Sequence, residues 1–329
     1  MSKLNKVILV ILLLVSCLSG CAKKESSKVI IYSNADEEAQ TVIKETLDAN
    51  GFKNKYILQA YGTNELGGKL LGEGKDIEAD MITMSSYYID SAQKENDMFA
   101  SLLESKVPLS KTQKYQTPLL SIEGSLIINT EELEEAKLPK PTSIKDLAKP
   151  IYKDHIAIVD MAGSSTGWLL VQTLIDSYGE KEAEKLLTAI MTNAGPHLES
   201  SGSGPLKKVR AGEVAIGFGL RHQAVADKAE GLPIDFVDPA EGNYALTESI
   251  AVVKRSEKKT KLAKEMAKCI VEKGREKLLK DYPIPVYKGE VADPSRVSKH
   301  TKQYSKPLTI DLLQKHLDLS EKCRIEARD

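Results

Sequence analysis

Four cysteines in 329 residues exclude a disulfide-built scaffold, and none falls in the paired Cys-x-x-Cys spacing of a structural zinc site. Two of them, Cys17 and Cys21, stand near the N-terminus, which leaves Cys269 and Cys323 for the body of the protein. Both read as free thiols, Cys269 sharing a helical spacing with the small or apolar Ala263, Met266 and Ala267; a disulfide between them is the other reading for an exported chain. The five histidines are scattered, so neither a metal site nor a cofactor is expected. Charge of one sign is lacking too: 46 basic side chains face 47 acidic ones, with no basic bias toward nucleic acid. After residue 20 no apolar run is long enough to span a bilayer. Catalytic signatures are also missing. There is no His-Glu-x-x-His and no Gly-x-x-x-x-Gly-Lys-Ser/Thr loop, and nothing argues for a base near Gly202-Ser203-Gly204. An exported enzyme is therefore disfavoured.

What is present begins at the N-terminus. Lys3 and Lys6 precede an unbroken apolar run from Val7 to Val15 and the small residues Ser19 and Gly20. A charged start and an apolar core too short to cross a membrane are the pattern of a secretion signal. Leu18-Ser19-Gly20-Cys21 further resembles the lipobox of bacterial lipoproteins. The resemblance implies a signal peptide over 1–20, acylation of Cys21, and a mature chain tethered by lipid to the outer face of the cell membrane. Residues 21–28 would be the flexible tether. A plain signal peptide with a chance cysteine is the other reading. Removal of 1–20 takes away two lysines and no acid, so the mature body carries a formal charge of −3.

Beyond the tether, β-branched runs alternate with helical patterns. Val29–Tyr32 ends in Ser33-Asn34-Ala35-Asp36 and leads into a helix that stops at Asn50-Gly51; Tyr56–Ala60 leads through Tyr61-Gly62-Thr63 into a helix around Glu65–Leu71; Ala79–Met84 ends in Ser85-Ser86-Tyr87-Tyr88. Strands at Gly124–Asn129, Ile156–Val159, Val214–Gly217 and Ala245–Val253 follow, then helical patterns over Lys261–Leu279 and Leu308–Leu317. Alternation of this kind implies an α/β fold with parallel sheet, whose ligands lie outside the carboxyl ends of the strands.

The order of these strands and polar loops resembles the type II solute-binding proteins of ATP-driven (ABC) importers, the branch of ferric-ion, thiamine, polyamine and 2-aminoethylphosphonate binders. The resemblance implies two α/β lobes, a ligand cleft between them and two crossover strands. Lobe one would be 29–124 plus 249–329, and lobe two 125–248. It implies a monomeric receptor that hands its solute to the permease subunits of the importer. Tyr32–Glu38 and Gly219–Ala224 look most similar to the 2-aminoethylphosphonate binders. Iron binders of this kind use adjacent tyrosines from the second lobe, whereas Tyr87-Tyr88, the only adjacent pair here, falls in the first.

A phosphonate and an ammonium require unlike poles in one cleft. For the anion, Ser164, Ser165 and Thr166 stand before an apparent helix, and Ser201, Gly202 and Ser203 before Pro205. Both are places for helix-start amides to face an anion, or plain caps. Arg221, just past an apolar strand, offers a planar fork to phosphonate oxygens, and His222 a second donor; both also read as surface residues. For the cation, the candidates are Asp36, which equally reads as an N-cap, and Glu248, an acid out of place in a buried strand. Tyr61 and Tyr87 offer ring faces. Ser33, Asn34, Thr63, Ser85, Ser86 and Ser125 complete the expected polar lining. Phosphate, sulfate and small carboxylates suit the same anion cradles.

Overall fold

The computed structural model describes residues 28–102 and 105–328. The expected signal peptide, Cys21 and all of the expected tether but Lys28 lie outside them. Strand β1 (Val29–Ser33) is buried at all five positions. Its carboxyl end turns at Asp36, whose carboxylate accepts the Ala39 amide and caps α1 (Glu37–Leu47), with Glu37 and Glu38 favourably placed in the first turn. Ala39, Val42, Ile43 and Leu47 bury one face of this helix. Ile43 and Leu47 are fully enclosed, each contributing about 1.5–3 kcal/mol by burial. Gly51, at φ +84°, takes the left-handed turn that releases the chain into β2 (Tyr56–Ala60). Helix α2 (Thr63–Glu73), β3 (Met81–Ser85) and α3 (Ser86–Asn96) repeat the unit.

Next comes β4 (Gln116–Asn129), a strand of 14 residues, followed by α4 (Thr130–Glu135), β5 (Ile156–Val159), α5 (Ser165–Tyr178), α6 (Glu180–Ala194), β6 (Leu198–Glu199), α7 (Gly204–Arg210), β7 (Ile216–Leu220), α8 (Arg221–Ala229) and β8 (Ile234–Val237). The chain returns along β9 (Asn243–Val252) and closes with α9 (Glu257–Cys269), α10 (Arg275–Asp281), β10 (Thr301–Lys302) and α11 (Ile310–Glu326).

The sheet order is β2-β1-β3-β9-β4-β7-β5-β6. β1 pairs in parallel with β2 and β3, and β5 in parallel with β6 and β7. Between these two parallel halves run β4 and β9, antiparallel to each other from Gln116↔Ala251 to Glu123↔Ala245. β4 then continues beside β7 and β8, and β9 continues beside β3. The result is the two-lobed type II architecture with two crossover strands. The stretches read from sequence, Gly124–Asn129 and Ala245–Val253, are parts of these two strands.

Two readings are corrected by the contacts. The segment 249–329 does not stay with one half. β10 pairs with β9 at Asn243 and Tyr244, and α11 then lies against α6 and α5. There His316 Nδ1 accepts the Trp168 indole N–H at 2.8 Å and Cys323 Sγ meets the Glu184 carbonyl at 3.5 Å. The apolar strand read at Val214–Gly217 is instead Ile216–Leu220, so Arg221 follows it directly as the first residue of α8. Cys269 and Cys323 are both free thiols.

Candidate functional site: the cleft between the two half-sheets

The carboxyl ends of β1, β2, β5 and β6 converge on a cavity of about 240 Å³. One wall is Asn34, Ala35 and Asp36 after β1, Tyr61, Gly62 and Thr63 after β2, and Tyr282 beyond α10. The opposite wall is Gly163–Thr166, between β5 and α5, and Ser200–Ser203, between β6 and α7. Leu120, Ile122 and Glu248 come from the crossover strands and Leu220 from β7. The walls also touch around the cavity. Asn64 Nδ2 donates to the carbonyls of Met161 and Ala162 at 3.1 and 2.7 Å, and Gln223 Nε2 to Glu38 Oε1 at 3.1 Å. A larger hollow of about 690 Å³ runs along α9 beside Lys254 and Arg255, away from the strand ends where α/β sheets bind.

The two hydroxyl-bearing turns are fitted into each other. A Cβ on Gly163 would lie 2.4 Å from the Ser200 carbonyl oxygen, and one on Gly202 2.5 Å from Thr166 Oγ1. Only glycine permits this approach. Ser164 Oγ caps α5 by accepting the Thr166 amide at 3.3 Å. First-turn amides have no intrahelical acceptor, and the 14 residues of α5 add a positive dipole end. The wall thus offers hydroxyl and amide donors to an anion. No lysine or arginine lines the cavity.

The facing wall is acidic. Glu248 is 3% exposed, and its Oε1 accepts from Asn34 Nδ2 at 3.1 Å. Burial pushes its carboxyl up to about 7, the nearby Asp36 charge adding to the rise and the Asn34 hydrogen bond opposing it. Asp36 goes the other way. Burial raises it, but the facing His222 ring, the Tyr282 hydroxyl and the Ala39 amide together hold it below the usual carboxylate value. His222 Nε2 lies 3.3 Å from Asp36 Oδ2, and its ring stacks on Tyr282 at 4.2 Å between centroids.

Of the expected lining, Asn34, Asp36, Tyr61, Thr63, Ser164, Ser165, Thr166, Ser201, Gly202, Ser203 and Glu248 are brought together around this cavity. The others are elsewhere. Arg221 is turned away, its fork held by Asp238 through contacts of 2.6 and 3.1 Å. His222 reaches the cleft only through Asp36. Ser33 Oγ accepts from the Ala35 amide and from Thr83 Oγ1, Ser125 donates to the Val237 carbonyl, and Ser86 binds the Thr247 carbonyl beside a separate hollow. Ser85 is buried opposite Glu248 in the β3/β9 register. Tyr87 packs edge-on against Trp168 at 4.8 Å, inside the core rather than in the cleft. Sequence reasoning missed Leu120, Ile122, Leu220 and Tyr282 as lining, and with them Ala35, Gly62, Gly163 and Ser200, which adjoin expected residues. Alternation along β4 marks the first two, but nothing local to Tyr282 signals its contact with Asp36, 246 positions away.

Among the described residues no cluster of three or more His, Cys, Asp or Glu side chains is placed to hold a metal, and no helix is long and apolar enough to cross a membrane. The spermidine/putrescine-binding periplasmic protein of Salmonella typhimurium is 25% identical over 218 residues, 60% of this chain and 60% of its own length. The chain spans 37–60% of the length of several curated relatives that it matches. Two solved structures share the fold. The periplasmic binding protein P5PA has a TM-score of 0.72 at 18% identity, covering 92% of this chain and 98% of that one. AfuA from Actinobacillus pleuropneumoniae, with fructose-6-phosphate bound, has a TM-score of 0.71 at 19% identity, covering 91% and 97%. The family model described as bacterial extracellular solute-binding protein matches residues 76–308, and the chain belongs to that family.

Proposed function

We propose that this chain is the solute receptor of an ABC importer and that it captures a small zwitterion with a phosphonate at one end and an ammonium at the other, 2-aminoethylphosphonate being the simplest. The supporting observation is the division of the cavity: buried Glu248 and half-buried Asp36 on one side, the interlocked turns Ser164–Thr166 and Ser200–Ser203 on the other, and no basic side chain between them. A net anion would meet two carboxylates without a compensating cation. A zwitterion satisfies both walls. The lobes would close about β4 and β9, with α11 moving with lobe two, and the loaded form would deliver its solute to the permease subunits. In this account Cys21 carries the lipid that holds the receptor at the outer face of the membrane. Mass spectrometry of membrane-extracted protein should find diacylglycerol on Cys21, and an unmodified chain starting elsewhere contradicts that part.

The function itself is tested by thermal shift against 2-aminoethylphosphonate, phosphate, thiamine, putrescine, spermidine and Fe(III), because a ligand of the folded state raises the midpoint by mass action. The largest shift is expected with 2-aminoethylphosphonate. A polyamine is the second reading, favoured by the acidic wall and by the printed function of the Salmonella relative. It leaves the two hydroxyl turns without a partner, and a larger shift with putrescine than with the aminophosphonate would select it. For a ferric ion of the kind bound through adjacent tyrosines, Tyr87 and Tyr88 stand stacked on each other in the core.

A further inference from the structure

We infer that the amine is read by Asn34 and Glu248 rather than by Asp36, and that this pair selects a primary ammonium over a methylated one. The inference rests on the reading that the solute carries an amine. Asn34 Nδ2 donates to Thr63 Oγ1 at 3.0 Å and to Glu248 Oε1 at 3.1 Å. Both amide hydrogens are thereby committed, which fixes the amide plane and leaves Oδ1 as an acceptor. That oxygen is buried and has no donor. Glu248 is itself 3% exposed, with Asn34 its only hydrogen-bond partner among the described residues. Asn34 Oδ1 is thus a buried acceptor without a donor, beside a carboxylate whose one hydrogen bond comes from the same side chain, and buried polar atoms left in that state are rare in folded proteins.

Asp36 differs, although it too ends in a carboxyl group. Its Oδ1 already receives the Tyr282 hydroxyl and the Ala39 amide, and its Oδ2 faces His222 Nε2 at 3.3 Å. An ammonium would have to displace one of these groups to bind there. The aromatic faces are partly used as well: Tyr61 stacks on Tyr32 at 4.6 Å and Tyr282 on His222 at 4.2 Å. The cavity therefore lacks the open aromatic cage that holds a quaternary ammonium by charge alone. A primary ammonium brings three N–H donors, enough for Asn34 Oδ1 and both Glu248 oxygens. Each methyl group removes one donor while the charge stays.

The test is calorimetry on the native protein with 2-aminoethylphosphonate, its N-methyl and N,N,N-trimethyl derivatives, and ethylphosphonate, with putrescine and its N-methylated series in parallel. Losing a hydrogen bond to a charged group corresponds to roughly 10- to 100-fold in affinity. The trimethyl compound is therefore expected to bind at least about 100-fold more weakly than the primary amine. Asn34→Ala should lose about 10-fold or more for the primary amine, while its affinity for the trimethyl compound and for ethylphosphonate stays close to native. Equal binding of the primary and trimethyl amines overturns the inference, as does an Asn34→Ala loss that is the same for ethylphosphonate. Ethylphosphonate binding as tightly as 2-aminoethylphosphonate rejects the amine reading itself. If only putrescine binds, the methylation series on the diamine carries the same two outcomes, and if no amine binds, both inference and reading fall.

Discussion

Arg221 holds Asp238 as a planar fork holds a carboxylate, Nε to Oδ1 at 2.6 Å and Nη2 to Oδ2 at 3.1 Å. Its remaining nitrogen, Nη1, donates to the Arg296 carbonyl at 2.5 Å, and the Phe236 ring lies 4.6 Å from the guanidinium carbon. Asn243 continues the network from Asp238 Oδ1 to the Gly124 carbonyl. This arginine ties β4, the start of β9 and the segment around Arg296 together. It stabilises the crossover region and is turned away from the cavity.

Removing that arginine should therefore cost stability before affinity. Arg221→Ala leaves the half-buried Asp238 without its partner, a loss of up to about 3 kcal/mol, visible as a lower urea midpoint. Ligand affinity of the protein that remains folded should stay within a few-fold of native. An affinity loss of two orders of magnitude with an unchanged midpoint would return Arg221 to the binding site.

The proposed anion cradle has its own vulnerable point at Gly202, where a Cβ would stand 2.5 Å from Thr166 Oγ1. Gly202→Ala should push the two turns apart and weaken binding of ethylphosphonate and 2-aminoethylphosphonate alike, by about 10-fold or more. Loss confined to the amine-bearing ligand would contradict the division of the poles.

Much of this site was legible because strand ends are. β-branched runs such as Val29–Tyr32 and Tyr56–Ala60 stop at polar turns, and in an α/β sheet those turns face the ligand. What escaped depends on partners distant in sequence. Arg221 has its carboxylate 17 positions on, after another strand. β4 contains Pro118 at a bulge and Glu123 in mid-strand, both of which argue locally against a strand. α11 reads as an ordinary amphipathic helix, and only the Trp168–His316 hydrogen bond and its contacts with α6 reveal which half it covers.

Burial of carboxylates gives the unliganded protein a distinct pH dependence. Glu248 and Glu123 are each pushed up to about 7, chiefly by burial. The folded state holds these protons more tightly than the unfolded chain does. The stabilisation is thus complete below the ordinary glutamate value of 4.5 and is lost as pH rises through about 7. Between pH 8 and 5.5 each group should add about 2 kcal/mol. Urea titrations across that range should show the rise, and Glu248→Gln should remove about half of it. A flat profile in the native protein would contradict the burial of both groups.

An ammonium beside Glu248 favours its ionised form, so binding near pH 6 should release close to one proton from this carboxyl. Affinity should climb by up to about tenfold per pH unit below 7 and level off above it. Calorimetry in buffers of different ionisation heat counts the proton, and Glu248→Gln, which retains only the titration of the phosphonate, supplies the baseline. Identical proton counts in native and variant protein would mean that the amine does not meet Glu248.

The two-pole account is tested most directly by measuring dissociation constants of the native protein at pH 7.5 for 2-aminoethylphosphonate, ethylphosphonate and ethylamine. The zwitterion should bind more tightly than either half-ligand by about 100-fold or more, since it alone satisfies the Glu248 wall and the Ser164–Thr166 and Ser200–Ser203 turns together. Ethylphosphonate binding as tightly as the zwitterion, or no measurable binding of the zwitterion under conditions where putrescine binds, would contradict it.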